Sequence, residues 1–286
     1  MENSLSLDVL FSMNALRRAW QQVRRNGDAS GSDGINRAQF ESKLDHLLTK
    51  IRQELLEGVY QPVPVRRFYV KKASGKQRPI SIWAMRDRVV QRVIHDYLMM
   101  TFERLFLPCS YGYRLGRSVE SAVQGVVRGR DDGLLWVLDA DIADCFDSIP
   151  LDILMGQIRR VVTFPDVVNL IEQYLYTPVE RHQGKVAGVS QGGVISPLLA
   201  NLYLHRFDEM ILASLPSSKL IRFADDFLIL SHDEQTAVWS LDVARRSLEN
   251  LRLKINMRKT HLVTFDEGFN FLGVTFKGTR YNKGGD

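Results

Sequence analysis

Apolar residues recur along the chain at two spacings, one typical of helices and the other typical of strands. Helical spacing predicts helices over Leu7–Arg25, Asn36–Glu57, Met85–Phe106, a shorter stretch after Ser118, Leu151–Val161, Pro165–Tyr174, Gly193–Leu215 and Glu234–Asn250. Short apolar runs predict strands over Val65–Val70, Pro79–Ile82, Leu134–Asp141, Leu262–Phe265 and Phe269–Phe276. Strands separated by helices, with a central antiparallel hairpin, indicate an α+β fold.

Two adjacent aspartates lie at the predicted turn of that hairpin. The sequence Phe223-Ala224-Asp225-Asp226 stands between two apolar runs, Lys219–Phe223 and Phe227–Ser231. This pattern predicts a β-hairpin with carboxylates at its tip. An acidic surface turn explains the pair equally well, since Asp is a favoured turn residue.

A second group of carboxylates follows an upstream strand, where the apolar run Leu134–Leu138 leads into Asp139, Asp141 and Asp144. Carboxylates gathered at strand ends repel one another, and a divalent cation is the usual reason for keeping them together. Mg²⁺ prefers such oxygen ligands. Two ions about 3.5–4 Å apart can stabilise both the attacking and the leaving oxygen of a phosphoryl transfer. The two groups of carboxylates together therefore form a candidate two-metal site.

Composition narrows the class of protein without identifying it. The 286 residues are 45% hydrophobic and 25% charged, which allows a sizeable core and two subdomains. No apolar run approaches the length of a membrane span, and the N-terminus lacks a secretory signal, so we expect a cytoplasmic protein without membrane contact. With Cys109 and Cys145 as the two cysteines, no disulfide framework is expected, and Cys145 is predicted to pack in the core.

The net charge of +5 is less informative than its distribution. Between residues 66 and 92, Asp87 is the one acid among nine basic residues: Arg66, Arg67, Lys71, Lys72, Lys76, Arg78, Arg86, Arg88 and Arg92. A solvated face normally mixes both signs of charge. The run therefore predicts an anion-binding surface, with affinity for a polyanion that falls as salt rises.

Several segments follow one another in an order that points to a family. They are Gly31–Ile35, Lys72–Ile80, Ser110–Ser118, Leu138–Ile149, Val189–Asn201, Phe223–Asp226, Leu251–Thr260 and Phe269–Gly273. In this order they resemble the N-terminal extension motif, the fingers motif, the extended fingers segment and polymerase motifs A to E of bacterial reverse transcriptases related to group II intron enzymes. The resemblance covers nearly the whole chain.

The resemblance implies a right-hand polymerase fold with fingers and palm. Residues 1–130 would form the fingers with an N-terminal extension, and residues 131–286 the palm, with a fingers-side insertion around residues 150–190. The related enzymes continue into a helical thumb, whereas this chain extends 13 residues beyond Gly273. We therefore expect the thumb to be absent from these 286 residues. A thumb region, an integrase region or a partner protein would then complete the enzyme.

The implied reaction is RNA-directed DNA synthesis by two-metal phosphoryl transfer. Asp141 and Asp225 would share two Mg²⁺ ions, for which Mn²⁺ would substitute, while Asp226 and the Ile142 carbonyl would lie beside them. Lys259 would donate a proton to pyrophosphate, although the ordinary lysine pKa near 10.4 makes it a plain cation first. Asp139 and Asp144 fall outside the motif and are read as solvated residues or loop caps.

Other matched positions would hold the substrates. Lys72 and Arg78 would clamp the triphosphate of the incoming dNTP, and Gln191 with Gly192 would line its pocket. Phe146 would lie beneath the sugar and exclude a 2′-hydroxyl; the alternative is an ordinary core residue.

The nucleic acid would be an RNA template paired with a DNA primer. Arg114 and Arg117 would contact template phosphates, and Phe271-Leu272-Gly273 would hold the primer end, although a hydrophobic core hairpin explains that segment as well. Two positions depart from the family pattern. Phe223 stands where the family has Tyr, and Ser190 where a Pro commonly occurs.

These observations predict a reverse transcriptase, with the CRISPR-associated branch and its antiviral role as the preferred subgroup. Two alternatives remain open. One is an untemplated polymerase in phage defence, and the other is a non-catalytic RNA-binding module of the maturase kind. The catalytic carboxylates together with Lys72, Arg78 and Gln191 favour an enzyme, because a protein that only binds RNA has no need of them.

Overall fold

The computed structural model describes residues 6–27, 29–71, 77–180 and 188–283. The helices are α1 (Leu7–Leu10), α2 (Met13–Val23), α3 (Arg37–Ser42), α4 (Leu44–Leu56), α5 (Met85–Phe102), α6 (Val119–Asp131), α7 (Cys145–Ser148), α8 (Leu151–Val161), α9 (Pro165–Leu175), α10 (Ser196–Ser214) and α11 (Glu234–Asn250). The strands are β1 (Arg66–Lys71), β2 (Gln77–Ile82), β3 (Trp136–Asp141), β4 (Lys219–Phe223), β5 (Asp226–Ser231), β6 (His261–Thr264), β7 (Phe269–Phe271), β8 (Val274–Lys277) and β9 (Arg280–Lys283).

The chain divides into two compact units. The first unit comprises Met1–Phe102 and Leu151–Leu199, and the second comprises Glu103–Pro150 and Ala200–Asp286. Each unit is therefore built from two separate stretches of chain. The assignment of residues 1–130 to fingers and 131–286 to palm stays a prediction.

The first unit contains helices and a two-stranded sheet in which β1 and β2 run antiparallel. Helix α2 packs against α4 and α5. Trp20 of α2 stacks on Phe40 of α3, with ring centroids 4.6 Å apart. The predicted helices Leu7–Arg25 and Asn36–Glu57 are each interrupted. Extended backbone at Ser12 separates α1 from α2, and non-helical backbone at Lys43 separates α3 from α4.

The second unit contains two antiparallel sheets. The larger sheet has the order β4-β5-β3-β6, and the smaller has the order β7-β8-β9. Helix α11 packs against β3 and β5, and α6 packs against β4 and β5. Close packing of α6 needs small residues, because a Cβ on Gly129 would lie 2.4 Å from a methyl group of Leu230. The smaller sheet contributes Phe269, Phe271 and Phe276 to the core.

Most predicted elements are present, and the α+β class is confirmed. The predicted strand Phe269–Phe276 is instead the pair β7 and β8, because Leu272 and Gly273 take left-handed conformations and form a turn. Strand β9 was missed. Among the described residues, no helix combines the length and the apolar character that crossing a membrane requires.

Only some of the basic residues between positions 66 and 92 are available to bind an anion. Arg66, Arg67, Lys71 and Arg78 lie on the β1–β2 hairpin. In α5, by contrast, Arg86 pairs with Glu54, Arg92 pairs with Asp96, and Arg88 donates to the Trp83 carbonyl at 2.9 Å. These pairings argue against an anion-binding role for the three arginines. Arg86 joins α5 to α4, whereas Arg88 and Arg92 bond to residues in or next to α5.

A buried carboxylate joins α5 to the chain before β1. Asp87 is fully buried and accepts hydrogen bonds from the Tyr60 hydroxyl at 2.5 Å and the Val63 amide at 3.0 Å. The Tyr60 and Tyr174 hydroxyls lie 2.6 Å apart, which extends the network to α9. Burial raises the pKa of Asp87 to about 6, although these hydrogen bonds and Arg86 oppose the rise.

This raised pKa predicts how stability changes with pH. The folded protein holds the Asp87 proton more tightly than the unfolded chain does, so the contribution is complete below the ordinary pKa of 3.8 and is lost as the pH rises through about 6. We expect the melting temperature of the wild type to fall, relative to that of Asp87→Asn, between about pH 4 and about pH 7. Calorimetry across this range measures the difference, and a difference that does not change with pH would contradict the account.

Candidate functional site

The hairpin between β4 and β5 presents the adjacent aspartates at its tip, as the sequence predicted. Strand β4 ends at Phe223 and β5 begins at Asp226, so Ala224 and Asp225 form the turn. Ala224 has φ 57°, a left-handed conformation that residues with a side chain seldom adopt. A turn this tight needs support from its surroundings, because such backbone strain costs free energy.

The upstream and downstream carboxylates come together across two strands of the larger sheet. Asp141, the last residue of β3, lies opposite Asp226, the first residue of β5. The Ile142 amide donates a hydrogen bond to the Asp225 carbonyl at 3.2 Å, which ties the end of β3 to the tip. Burial, followed by the charges of Asp225 and Asp141, raises the pKa of Asp226 to about 7. The tip therefore concentrates negative charge.

One cationic side chain and one side-chain amide contact this carboxylate cluster. The Lys259 ammonium lies 3.0 Å from Oδ2 of Asp141, and Nδ2 of Asn256 donates to the same oxygen at 2.9 Å. The hydrogen bond to Asp141 raises the pKa of Lys259, which keeps the ammonium charged. The main-chain amide of Asn256 also donates to the Asp141 carbonyl at 2.8 Å, so the segment before β6 is fixed to the end of β3.

These residues offer the oxygen ligands that a divalent cation needs. Asp141, Asp225 and Asp226 are hard oxygen donors, and their mutual repulsion would be relieved by added positive charge. As placed, however, no group of three or more His, Cys, Asp or Glu side chains in the described residues is arranged to hold a metal ion. Lys259 takes up one of the Asp141 oxygens instead. The donor set fits a metal after local rearrangement of these side chains.

A buried arginine stabilises the β4–β5 hairpin through several hydrogen bonds. Arg222, in β4, is fully buried and binds the Asp208 carboxylate through two hydrogen bonds of 2.6 Å. It also donates to Oδ1 of Asn201 at 2.8 Å, to the Ser110 hydroxyl at 3.0 Å and to the Ala224 carbonyl at 3.1 Å. Burial opposes the charge, but Asp208 outweighs it and raises the pKa of Arg222. The arginine therefore connects α10, β4 and the strained turn.

The segment before α6 lies along the free side of β4. Arg222 donates its amide to the Cys109 carbonyl, and the Tyr111 amide donates to the Arg222 carbonyl, each at 2.8 Å. Gly112 approaches the turn so closely that a Cβ there would lie 2.7 Å from the Ala224 nitrogen. Nδ2 of Asn201 donates to the Gly112 carbonyl at 2.6 Å. The backbone at Gly112 and the turn at Ala224 therefore fix one another.

Of the residues predicted to bind the dNTP, Arg78, Gln191 and Gly192 belong to the first unit, whereas Phe146 belongs to the second. Nε of Arg78 donates to Oε1 of Gln191, which joins two motifs that are 113 residues apart. The Ser81 amide donates to the Gln191 carbonyl at 2.7 Å, and a Cβ on Gly192 would lie 2.4 Å from the Ser81 carbonyl oxygen. The Gln191–Gly192 loop is thus laid directly on β2. The predicted Lys72 lies outside the described residues.

Gln91 holds the other end of that loop. Its Oε1 accepts a hydrogen bond from the Val194 amide at 2.8 Å, and the residue is 1% exposed. A Cβ on Gly193 would lie 2.5 Å from Oγ of Ser196 and 3.3 Å from both Oε1 of Gln91 and Nε1 of Trp83. Any side chain at residue 193 would therefore force a neighbouring group to shift.

The two arginines predicted to contact template differ in their surroundings. The buried Arg114 donates to Glu103 at 2.6 Å and to the carbonyls of Leu107 and Ser110 at 2.6 and 2.9 Å. Its donors are used within the second unit, which argues against the predicted contact with template phosphates. Arg117 is half-buried, donates to the Pro108 carbonyl at 3.2 Å and keeps further donors available.

Two predicted contact residues have buried rings. Phe271 is 3% exposed in the core, so a primer contact at this motif would fall to the turn of Leu272 and Gly273. Phe146, in the short α7, is 9% exposed, which leaves a small part of the ring accessible. Its predicted role beneath the dNTP sugar stays a prediction, and so does the alternative of a core residue.

The remaining upstream residues also have defined places. Asp144 stands at the N-cap position of α7 with φ 43°, but its side chain makes no capping hydrogen bond. Cys145 is 2% exposed, and burial raises the pKa of its thiol, so it is a core residue as predicted. Asp139 is half-buried rather than fully solvated, and burial raises its pKa to about 6, although His261 opposite it in β6 lowers the value.

Sequence reasoning assigned no role to Arg222, Asp208, Asn201, Gly112 or Gln91. A signal for Arg222 was present, because it stands between Ile221 and Phe223 in an apolar strand. Charged residues are almost never fully buried without a partner. The partner itself could not be named, since Asp208 lies in another element and only the tertiary fold brings it to β4.

Comparisons with known proteins agree on one family. Residues 70–276 match the family described as reverse transcriptase (RNA-dependent DNA polymerase). The chain is 32% identical to Protein YkfC of Escherichia coli over 88% of this chain and 77% of that protein. It is 34% identical to the group II intron-encoded protein LtrA of Lactococcus lactis, over 68% of this chain and 33% of LtrA. The chain therefore spans about a third of the length of LtrA.

Two solved structures have a similar fold. A truncated apo telomerase from Candida tropicalis has a TM-score of 0.62 at 12% identity, over 89% of this chain and 63% of that one. A chain of a Cas6-RT-Cas1–Cas2 complex has a TM-score of 0.52 at 23% identity, over 86% of this chain and 43% of that one. At these identities the likeness concerns the fold alone, and it confirms the predicted fold class.

The buried Arg222 pair makes a prediction about stability. Asp208→Asn removes the charge that compensates a fully buried guanidinium, so we expect the free energy of unfolding to fall by about 3–5 kcal/mol. The matched control is Asp242→Asn, because Asp242 also pairs with arginine, in this case Arg245 and Arg246, but at the surface. There we expect a much smaller loss, because solvent screens an exposed ion pair. Urea denaturation measures both, and equal losses would contradict the proposed role of Arg222.

Proposed function

Because the chain belongs to the reverse transcriptase family, we propose that it extends the 3′-hydroxyl of a DNA primer on an RNA template, using dNTPs. The observation that carries this proposal is the meeting of Asp141, Asp225 and Asp226 at the end of the β3–β5 pair. A protein that only binds RNA has no use for three carboxylates held against their mutual repulsion. The non-catalytic alternative therefore explains less of the structure.

We propose that Asp141 and Asp225 hold two Mg²⁺ ions, with Asp226 and the Ile142 carbonyl beside them, and that Mn²⁺ substitutes. Reverse transcriptases generally depend on divalent metals. Bound metal would activate the primer hydroxyl and neutralise charge on the phosphates. Burial raises the pKa of Asp226 most, and the charges of Asp225 and Asp141 raise it further; these neighbouring charges support the assignment. The pairing of Lys259 with Asp141 supports it too, because the cluster already attracts the nearest cation.

The chain's own side chains would orient the other reactants. The Lys259 ammonium, which stays charged, would neutralise the leaving pyrophosphate once Lys259 has separated from Asp141. We also propose that Lys259 donates a proton to the pyrophosphate. Arg78, held by Gln191, would present its guanidinium to the triphosphate together with Lys72. The residual exposed edge of Phe146 would exclude a ribose 2′-hydroxyl by volume.

The contact with template and primer is assigned to fewer residues than the sequence predicted. We propose that Arg117 and the turn of Leu272 and Gly273 touch the nucleic acid. Further affinity would come from the β1–β2 hairpin, where Arg66, Lys71 and Arg78 are solvent-exposed. A thumb or integrase region, from the same protein or from a partner, is proposed to complete the grip.

The biological branch is a separate proposal. Sequence identity to LtrA supports a group II intron-like reverse transcriptase. The CRISPR-associated branch and an antiviral role rest on the motif resemblance and on a fold likeness at 23% identity. An untemplated polymerase in phage defence is the remaining alternative, and omission of the RNA template in an extension assay separates it from the proposed activity.

The catalytic assignment predicts a clean separation of activity from binding. Asp225→Asn should abolish primer extension on an RNA template while the affinity for primer–template stays within about twofold, because polyanion affinity comes mainly from phosphate contacts elsewhere. Extension is followed on gels with Mg²⁺ or Mn²⁺, and binding by fluorescence anisotropy. The control is Asp132→Asn, which removes an exposed carboxylate paired with Lys219 and should leave both properties intact. Activity retained by Asp225→Asn would refute the assignment.

The close approach of Gly112 predicts that the turn is held in a catalytic position. Gly112→Ala introduces a Cβ 2.7 Å from the Ala224 nitrogen and 3.2 Å from the Phe223 ring, so the turn must shift. A displacement of about 1 Å can cost about 100-fold in rate. We expect kcat to fall by about that factor with little change in KM for primer–template.

Gly156→Ala in α8 is the matched control, because its Cβ would meet no atom within 4 Å. It should leave kcat unchanged and, as an Ala in a helix, should not destabilise the protein. If Gly112→Ala keeps wild-type kcat, the turn tolerates displacement and the positioning argument fails. Circular dichroism of both variants distinguishes a shifted turn from a lost fold.

A further inference from the structure

Asn256 contacts Asp141 through both its side chain and its main chain. Its Nδ2 donates to Oδ2 of Asp141 at 2.9 Å, and its main-chain amide donates to the Asp141 carbonyl at 2.8 Å. The preceding residue, Ile255, forms an antiparallel bridge with Ile142. The main chain at Asn256 is therefore held beside the end of β3, where the side-chain amide can fix the Asp141 carboxylate.

Asn256 also begins the turn that carries Lys259. The Asn256 carbonyl accepts from the Lys259 amide at 2.9 Å and from the Thr260 hydroxyl at 3.0 Å. The turn brings the Lys259 ammonium to 3.0 Å from Oδ2 of Asp141, the same oxygen that the Asn256 side chain contacts. A neutral donor and a cation therefore share one carboxylate oxygen.

These two contacts differ in how they respond to a divalent cation. Lys259 carries a positive charge and its side chain is 64% exposed, so a metal ion at Asp141 repels the ammonium, which can move into solvent. Asn256 is half-buried and uncharged. Because a carboxylate oxygen has two lone pairs, it can bind a metal ion and accept from an amide at the same time. The Asn256 hydrogen bond can therefore persist when Lys259 leaves.

We propose that Asn256 is a positioning residue that orients the Asp141 carboxylate for divalent metal ions. This inference rests on the proposed function, in which Asp141 binds Mg²⁺ or Mn²⁺. The terminal torsion of an aspartate is broad, so the plane of its carboxylate turns easily unless a partner fixes it. The Asn256 amide supplies that partner without adding a charge that competes with the metal. Hydrogen bonds to metal-binding carboxylates typically contribute a factor of about 10–100 to metal affinity.

The test measures Mn²⁺ binding to the whole chain by water-proton relaxation, without nucleic acid or dNTP, so the readout does not depend on catalysis. Asn256→Ala removes the side-chain donor and keeps the main-chain hydrogen bonds, and Asn256→Leu removes the donor at nearly constant volume. Lys259→Met removes the competing cation. The matched control is Asn250→Ala, because Asn250 is exposed at the last residue of α11.

We expect both Asn256 variants to bind Mn²⁺ about 10- to 100-fold more weakly than wild type, and Asn250→Ala to bind it as wild type does. Lys259→Met should bind Mn²⁺ about two- to fivefold more tightly, because the ion pair that competes with the metal is exposed and weak. Opposite effects at one Asp141 oxygen separate a positioning donor from a competing cation. Wild-type affinity in both Asn256 variants would overturn the proposal.

A purely structural role of Asn256 gives a different result. It would lower the melting temperature measured without metal and leave the Mn²⁺ affinity of the folded chain unchanged, which contradicts the proposal. A role exercised only through Lys259 would make the loss of affinity disappear when Asn256→Ala is combined with Lys259→Met. The proposal predicts that the double variant keeps the loss, because Asn256 acts on Asp141 directly.

Failure of this inference and failure of the proposed function give different results. Wild-type chain that extends a primer, with a Mn²⁺ affinity that the Asn256 variants leave unchanged, refutes the positioning role alone. Wild-type chain that adds no nucleotide, but binds Mn²⁺ with an affinity that depends on Asn256, refutes the polymerase activity and leaves the positioning role established. Wild-type chain that binds no Mn²⁺ overturns both the metal assignment and this inference.

Discussion

The guanidinium of Arg222 is the contact on which the geometry of the second unit depends. It is fully buried, and its donors reach α10 through Asp208 and Asn201, the segment before α6 through Ser110, and the catalytic turn through the Ala224 carbonyl. A buried charge of this kind is tolerated only when it is paired and when its donors are used. The same bonds that satisfy the arginine therefore fix the turn that carries Asp225.

The turn needs such support because it gathers like charges. Asp141 and Asp226 face one another across β3 and β5, and the charges of Asp225 and Asp141 contribute to the raised pKa of Asp226. Left to itself, the tip would relax by separating the carboxylates. Among the described residues, the non-glycine residues with positive φ are Tyr113, Asp144, Ala224, Arg252 and Leu272. All five belong to the second unit, and strain of this kind is kept where a fold holds a functional geometry.

Local signals in the sequence were sufficient for elements whose ends are set by neighbouring residues. The bounds of α8 and α11 agree with the prediction, and α11 begins where Asp233 caps it by accepting from the Thr236 amide. The interruption at Ser12 was missed, because the apolar spacing continues through it. The carboxylate cluster was predictable from motif order. The dependence of that cluster on Arg222, Asn201 and Gly112 was not, because those contacts join residues up to 112 positions apart.

Amide hydrogen exchange at the tip tests most directly whether Arg222 holds the catalytic turn in place. The Ile142 amide donates to the Asp225 carbonyl at the tip, and the Asn256 main-chain amide donates to the Asp141 carbonyl at the end of β3, so their exchange reports opening of the site. The account predicts that both exchange as slowly as the interior of β3 and β5 in the wild type. In Arg222→Lys, which keeps the charge but not the forked donors, they should exchange as fast as exposed turns while α11 is unaffected. Fast exchange in the wild type, or slow exchange retained in Arg222→Lys, would contradict it.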